Sequence, residues 1–135
     1  MAINVYLNFY GNAREVIEYY EDVFETKAEI MSYGDIPEEP DFEITEDMKG
    51  AVLHSEMVIS DSILMISDDL RGEDHSKKNN FGLAIGFKDE KKLREIFEKI
   101  QKEGNVEMQL EKTFWSDLFG IVKDKFGIDW MFNLE

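Results

Sequence analysis

The chain has 135 residues, 43% hydrophobic and 13% aromatic, with no cysteine and a formal charge of −15. That is enough for one domain with a real core, and it excludes disulfides, thiolate metal sites and a cysteine nucleophile. So large an excess of acid repels phosphate backbones and anionic lipid surfaces, so nucleic acid and membranes are not expected partners.

In chain order, Ile3 to Phe9 is apolar apart from Asn4 and Asn8 and predicts a first strand. Gly11-Asn12 ends it. Asn12 has the character of an N-cap, with Glu15 three residues on at capping-box spacing. Val16, Ile17, Tyr20, Val23 and Phe24 then fall on one face of a helix. Lys27 to Tyr33 reads as a second strand. Gly34 to Asp47 holds both prolines, Pro37 and Pro40, with acids at Asp35, Glu38, Glu39, Asp41, Glu43, Glu46 and Asp47. The regular oxygen spacing and central glycine of a calcium loop are missing, so a solvated loop is expected.

Ala51 to Ile59 and Ile63 to Ser67 predict two strands joined at Ser60-Asp61-Ser62, a hairpin. Asp68 to Asn80 is a second polar loop, with His75 expected at the surface. In the strand expected over Phe81 to Phe87, large Phe81, Leu83, Ile85 and Phe87 alternate with tiny Gly82, Ala84 and Gly86. One face fills a core and the other leaves space. Asp89 can cap a helix striped by Leu93, Ile96, Phe97 and Ile100 and stopped at Gly104. Val106, Met108 and Leu110 mark another strand. The stretch Phe114 to Glu135, FWSDLFGIVKDKFGIDWMFNLE, predicts a hairpin broken at KDKFG. Beyond the break Ile128, Trp130, Phe132 and Leu134 alternate with Asp129, Met131 and Asn133. No apolar run approaches the roughly 20 residues of a spanning helix, and no basic-then-apolar leader opens the chain. A soluble, cytoplasmic protein is expected.

The order strand, helix, strand, strand, strand thus occurs twice, over residues 1–69 and 79–135, within a single domain of 1–135. LMIS at Leu64 to Ser67 aligns with WMFN at Trp130 to Asn133, and pattern rather than identity carries the repeat. An α+β fold of two tandem βαβββ modules follows, each with one helix for one sheet face. The two uncovered faces are expected to curve around a cleft for a small ligand.

Three segments, YLNFYGNAREVIEYYEDVF, AVLHSEMVISDSILMISDD and FWSDLFGIVKDKFGIDWMFN, together resemble the PhnB-like branch of the glyoxalase/bleomycin-resistance/extradiol dioxygenase superfamily, the vicinal oxygen chelate group. The resemblance spans nearly the whole chain. Its most specific part is the terminal W-x3-FG-x-V-x-D-x-FG-x-x-W, and it implies the same paired βαβββ fold. It also implies a divalent metal held by His, Gln or Glu from the first and last strand of each module. By local alignment those slots fall on Val5, Met65, Gly82 and Met131, none of which carries a side-chain oxygen or nitrogen for a metal. No cofactor is therefore expected. Some relatives are described as ubiquinone-type methyltransferases, yet no glycine-rich strand-to-helix turn followed by an acid is present.

His54 matches a histidine common in that branch. By alternation it should share a face with Val52, Glu56 and Val58, and with Glu56 it could form a proton-transfer pair or two weak metal ligands. A histidine bonded to a neighbour or to water is the plainer expectation. Trp115 could cap the pocket mouth and stack on a flat ligand, or serve edge or dimer packing. Trp130 belongs in the core. Val5, Leu7, Phe9, Met65, Gly82, Ala84, Gly86 and Met131 are expected to line the uncovered side, an apolar and adaptable cleft. The expected function is metal-free binding of a small, partly apolar molecule by a homodimer. The alternative is a lyase, isomerase or dioxygenase-like enzyme using His54 and Glu56.

Overall fold

The computed structural model describes residues 3–37, 43–70 and 81–135. His75, Pro40, Glu38, Glu39 and Asp41 lie outside these residues. The chain divides into two compact units, residues 1–75 and 76–135. The first contains β1 (Val5–Phe9), α1 (Ala13–Phe24), β2 (Glu29–Ser32), β3 (Val52–Ile59) and β4 (Ser62–Asp68). The second contains β5 (Leu83–Phe87), α2 (Glu90–Glu103), β6 (Asn105–Glu111), β7 (Phe119–Lys123) and β8 (Asp129–Leu134). The sheets have matching orders, β1-β4-β3-β2 and β5-β8-β7-β6. In each, the first strand runs parallel to the last, with Val5 beside Leu64 and Leu83 beside Trp130. The other pairings are antiparallel.

In the first unit Val16, Ile17, Tyr20 and Val23 of α1 are buried together with Leu7, Leu64 and Ile66 of the sheet. The second buries Leu93, Ile96, Phe97 and Ile100 of α2 with Ile85, Val122, Trp130 and Phe132. Phe132 stacks on Phe87 at 5.2 Å and meets Phe97 edge-on at 5.3 Å. Each fully buried side chain of this size is worth about 1.5–3 kcal/mol over its exposed state, so these stripes hold the helices to their sheets.

The two helices begin differently. Asp89 caps α2 as expected, its Oδ1 accepting from Lys91 N at 2.9 Å and Lys92 N at 3.4 Å. The capping box expected at Asn12 is not formed, and its side chain makes no cap hydrogen bond. The Oδ1 of buried Asp68, at the end of β4, accepts from Ala13 N at 2.9 Å instead. Tertiary structure thus supplies the acceptor that the local sequence offers. Asp89→Ala is expected to cost about 1 kcal/mol, the usual worth of a cap. Asn12→Ala should leave the urea-denaturation midpoint nearly unchanged.

Candidate functional site

The faces of the first sheet follow from its register. Tyr6 lies beside Met65 and Asn8 beside Ser67, while Met65 lies beside Glu56 and His54 beside Met31. Cross-strand neighbours share a face, so Tyr6, Asn8, His54, Glu56, Met65 and Ser67 stand together on the face opposite the helix-covered one. Val5, Leu7 and Phe9 stand opposite, next to Leu64 and Ile66 on the helix-covered side. The expectation that these three line the open side is therefore corrected. Alternation defines two faces of β1, and α1 covers the apolar one.

His54 and Glu56 do share the open face, but Val52 does not. Ser32 of β2 pairs with Val52 and the preceding Met31 with His54, leaving Leu53 as an extra residue, a β-bulge. The bulge turns Val52 inward, where it is fully buried and its N–H donates to Asp68 Oδ2 at 2.9 Å. Asp68 thereby ties the end of β4 to the starts of both α1 and β3. His54 Nε2 lies 3.2 Å from Glu56 Oε1, and the His54 ring lies 5.9 Å from that of Tyr6. A pair this exposed contributes at most about 1 kcal/mol to stability.

Next to this stripe is a pocket of about 360 Å³ lined by Tyr6, Asn8, Leu53, Ser67, Asp69 and Leu70, with Tyr33, Met48 and Asp68 completing its wall. Tyr6 Oη is 3.0 Å from Ser67 Oγ, and Ser67 Oγ donates to Asn8 Oδ1 at 3.3 Å. Tyr33 Oη donates to the Asp68 carbonyl at 3.3 Å. The wall therefore combines a connected set of hydroxyl and amide groups with apolar surface. Sequence reasoning overlooked Tyr6, Asn8, Leu53 and Ser67. The polar beats of β1, Tyr6 and Asn8 between Val5, Leu7 and Phe9, were the available signal.

In the second unit Met131 lies beside Ala84 and Ile121, on the face opposite Trp130 and Phe132. The space expected above the small residues is partly taken. A Cβ at Gly82 would meet Met131 Cε at 3.2 Å, and one at Gly86 would run into the Glu135 carboxylate. Lys123 Nζ, on the same face, reaches Asp129 Oδ1 at 3.1 Å and Glu107 Oε1 at 3.7 Å. Trp115, half-exposed ahead of β7, packs edge-on against Phe114 at 4.7 Å and Phe119 at 5.4 Å.

The four expected metal slots do not fit a divalent cation. Val5 faces the helix, Met65 and Met131 offer only thioethers on the open faces, and Gly82 offers no side chain. Among the described residues no group of three or more His, Asp or Glu is placed to hold a metal ion.

Two βαβββ units, each with one helix-covered sheet face, define the α+β glyoxalase/bleomycin-resistance/dioxygenase fold. The chain belongs to the PhnB-like branch of that superfamily, and the family described as 3-demethylubiquinone-9 3-methyltransferase matches residues 1–132. Protein YjdN of Escherichia coli (strain K12) is 29% identical over 143 residues, spanning 99% of this chain and 95% of YjdN. Protein PA1353 of Pseudomonas aeruginosa superposes with a TM-score of 0.83 at 29% identity, covering 100% of this chain and 98% of that one. A Bacillus cereus PhnB protein, described as a putative 3-demethylubiquinone-9 3-methyltransferase, has a TM-score of 0.75 at 24% identity with both chains fully covered, 100% of each.

Proposed function

We propose that this chain binds a small, partly apolar molecule on the open face of its first sheet, without a metal centre. The observation that carries the reading is the pocket of about 360 Å³ whose wall joins Tyr6, Ser67 and Asn8 by hydrogen bonds beside Leu53, Met48 and Leu70. That volume is within the range of small-ligand sites, about 300–1,000 Å³. Polar groups already held in place lose little freedom on binding. Met65 adds adaptable apolar surface to the open face of the first sheet, and Ala84 and Met131 give the open face of the second sheet an apolar surface of its own. We place the protein in the cytoplasm as a homodimer, with the exposed Phe114 and Trp115 as material for a subunit contact. Among the described residues no helix is long and apolar enough to cross a membrane.

The methyl transfer in the family's description is not part of this reading. The strand-to-helix turns FYGNA (9–13) and FKDEK (87–91) lack the glycine-rich pattern of a nucleotide-type cofactor turn. A second reading, an enzyme moving a proton with His54 and Glu56, is favoured by their 3.2 Å contact on the pocket's own face.

Elemental analysis of the protein as purified from cells tests the metal-free claim. No stoichiometric divalent metal is expected, because the slot residues offer thioethers and no side-chain oxygen or nitrogen. Stoichiometric Zn, Mn, Ni or Fe would overturn it.

A further inference from the structure

The open face of the first sheet gathers sulfur around its histidine. Met31 of β2 is the direct cross-strand neighbour of His54 on β3, and side chains so opposed have Cβ atoms about 4.5–5.5 Å apart. Met65 of β4 is the neighbour of Glu56 and so stands diagonal to His54, a separation of about 7–8 Å that long side chains span. Met31 is 51% exposed and Met65 half-buried, so neither belongs to the core. Three adjacent strands thus bring two thioethers and one imidazole to one patch.

His54 is already held as a metal ligand would be. Its Nε2 lies 3.2 Å from Glu56 Oε1. A carboxylate only accepts, so the neutral imidazole gives its one N–H to Glu56 and keeps a lone pair on its other nitrogen, whichever way the ring is turned. A carboxylate on the far nitrogen is the usual partner that fixes the tautomer and raises the basicity of a metal-bound histidine. Tyr6 is the neighbour of Met65, and its ring lies 5.9 Å from that of His54. A cation seated among these side chains has an aromatic ring close by, and such rings attract positive charge. Residues 1–75 also carry the chain's whole formal charge of −15, because acids and bases are equal in number over residues 76–135. That field favours cations of every kind, so the donors must choose among them.

The donors choose by softness. Thioethers are poor ligands for hard and borderline divalent ions and select Cu(I), which accepts low coordination numbers. Among the described residues no group of three His, Asp or Glu is placed to hold a metal ion, so Zn(II) finds no competing set here. We propose that Met31, His54 and Met65 bind one soft monovalent cation, Cu(I), with Glu56 orienting the imidazole and the Tyr6 ring beside the ion. The site stands apart from the small-molecule reading, since of these five residues only Tyr6 lines the pocket.

The test is an Ag(I) titration of the full chain, labelled with 13C at the methionine methyls and 15N at histidine. Ag(I) is as soft as Cu(I) and keeps its oxidation state in air. A single equivalent is expected to move the Met31 and Met65 methyls and the His54 ring together, leaving the methyl of buried Met57 in place. Zn(II) is expected to leave both methyls unmoved. Met31→Leu and Met65→Leu keep the apolar volume and should fold normally. Each should weaken Ag(I) by at least about tenfold, since even an outer-shell partner is worth roughly 10–100-fold in metal affinity. Glu56→Ala should weaken it about tenfold, and Glu56→Gln, which keeps an acceptor, should lose less. The same order is expected for Cu(I) measured anaerobically against a chromogenic chelator. Ag(I) moving only methyls elsewhere, Zn(II) binding as tightly as Ag(I), or leucine variants with wild-type affinity would overturn the proposal and leave the pocket's own reading untouched.

Discussion

Asp124→Ala is expected to lower the unfolding free energy by about 3–4 kcal/mol, the cost of leaving several donors in and around a buried site without their acceptor. Asp124 is buried between β7 and β8, and its two oxygens accept from at least three donors. Oδ1 accepts from Phe126 N at 2.9 Å and Ile128 N at 3.0 Å, and Oδ2 accepts from Trp130 Nε1 at 2.9 Å. Trp130 is itself buried, so water cannot take the carboxylate's place at its indole without opening the core. The two turn amides are only part-buried and recover some hydration. The indole accordingly accounts for the larger share. Urea denaturation gives the stability, and Trp130 fluorescence should shift to the red as its surroundings loosen. An unchanged midpoint would mean that the hairpin turn is held by its backbone pairs alone, Asp124 N to Ile128 O and Gly127 N to Asp124 O.

Gly104→Ala is expected to cost about 3 kcal/mol by overpacking, or roughly 10 °C in Tm for a chain of this size. The reason is not backbone conformation. Gly104 has φ −110°, a value open to any residue. A Cβ there would overlap the Lys123 carbonyl and stand 2.8 Å from the Ile100 carbonyl and 3.2 Å from Asp124 Cα. All three are backbone, where α2 passes the end of β7, and none can swing aside. Gly86→Ala is the natural control, because the atoms it would meet belong to the flexible side chain of Glu135. A Gly104→Ala protein as stable as Gly86→Ala would show that the exit of α2 is loosely packed.

Much of the fold was legible because its periods are strong. Val16, Ile17, Tyr20 and Val23 recur at helical spacing, as do Leu93, Ile96, Phe97 and Ile100, and all eight are buried. The alternation around Trp130 and Phe132 identified the covered face of β8, and both are core. The order strand, helix, three strands was readable twice for the same reason. The site was harder to read. A strand period of two separates the faces of β1 without saying which one a helix covers, and the metal-slot alignment drew Val5, Leu7 and Phe9 to the wrong side. The inward turn of Val52 depends on one extra residue, Leu53, which interrupts alternation only when β2 and β3 are paired. Asp68 looked like the start of a polar loop. Its two backbone contacts, to Ala13 and Val52, come from residues 55 and 16 positions away. Long-range contacts of that kind leave no trace in local pattern.

Metal-free occupation of the pocket around Tyr6, Asn8 and Ser67 is tested most directly by native mass spectrometry. The protein as isolated from cells would be compared with an Asn8→Ala, Ser67→Ala double variant. The expected result is a small organic adduct on the wild-type chain, no divalent metal, and loss of the adduct in the folded variant. An adduct that persists in the variant, or a stoichiometric metal in its place, would contradict the account.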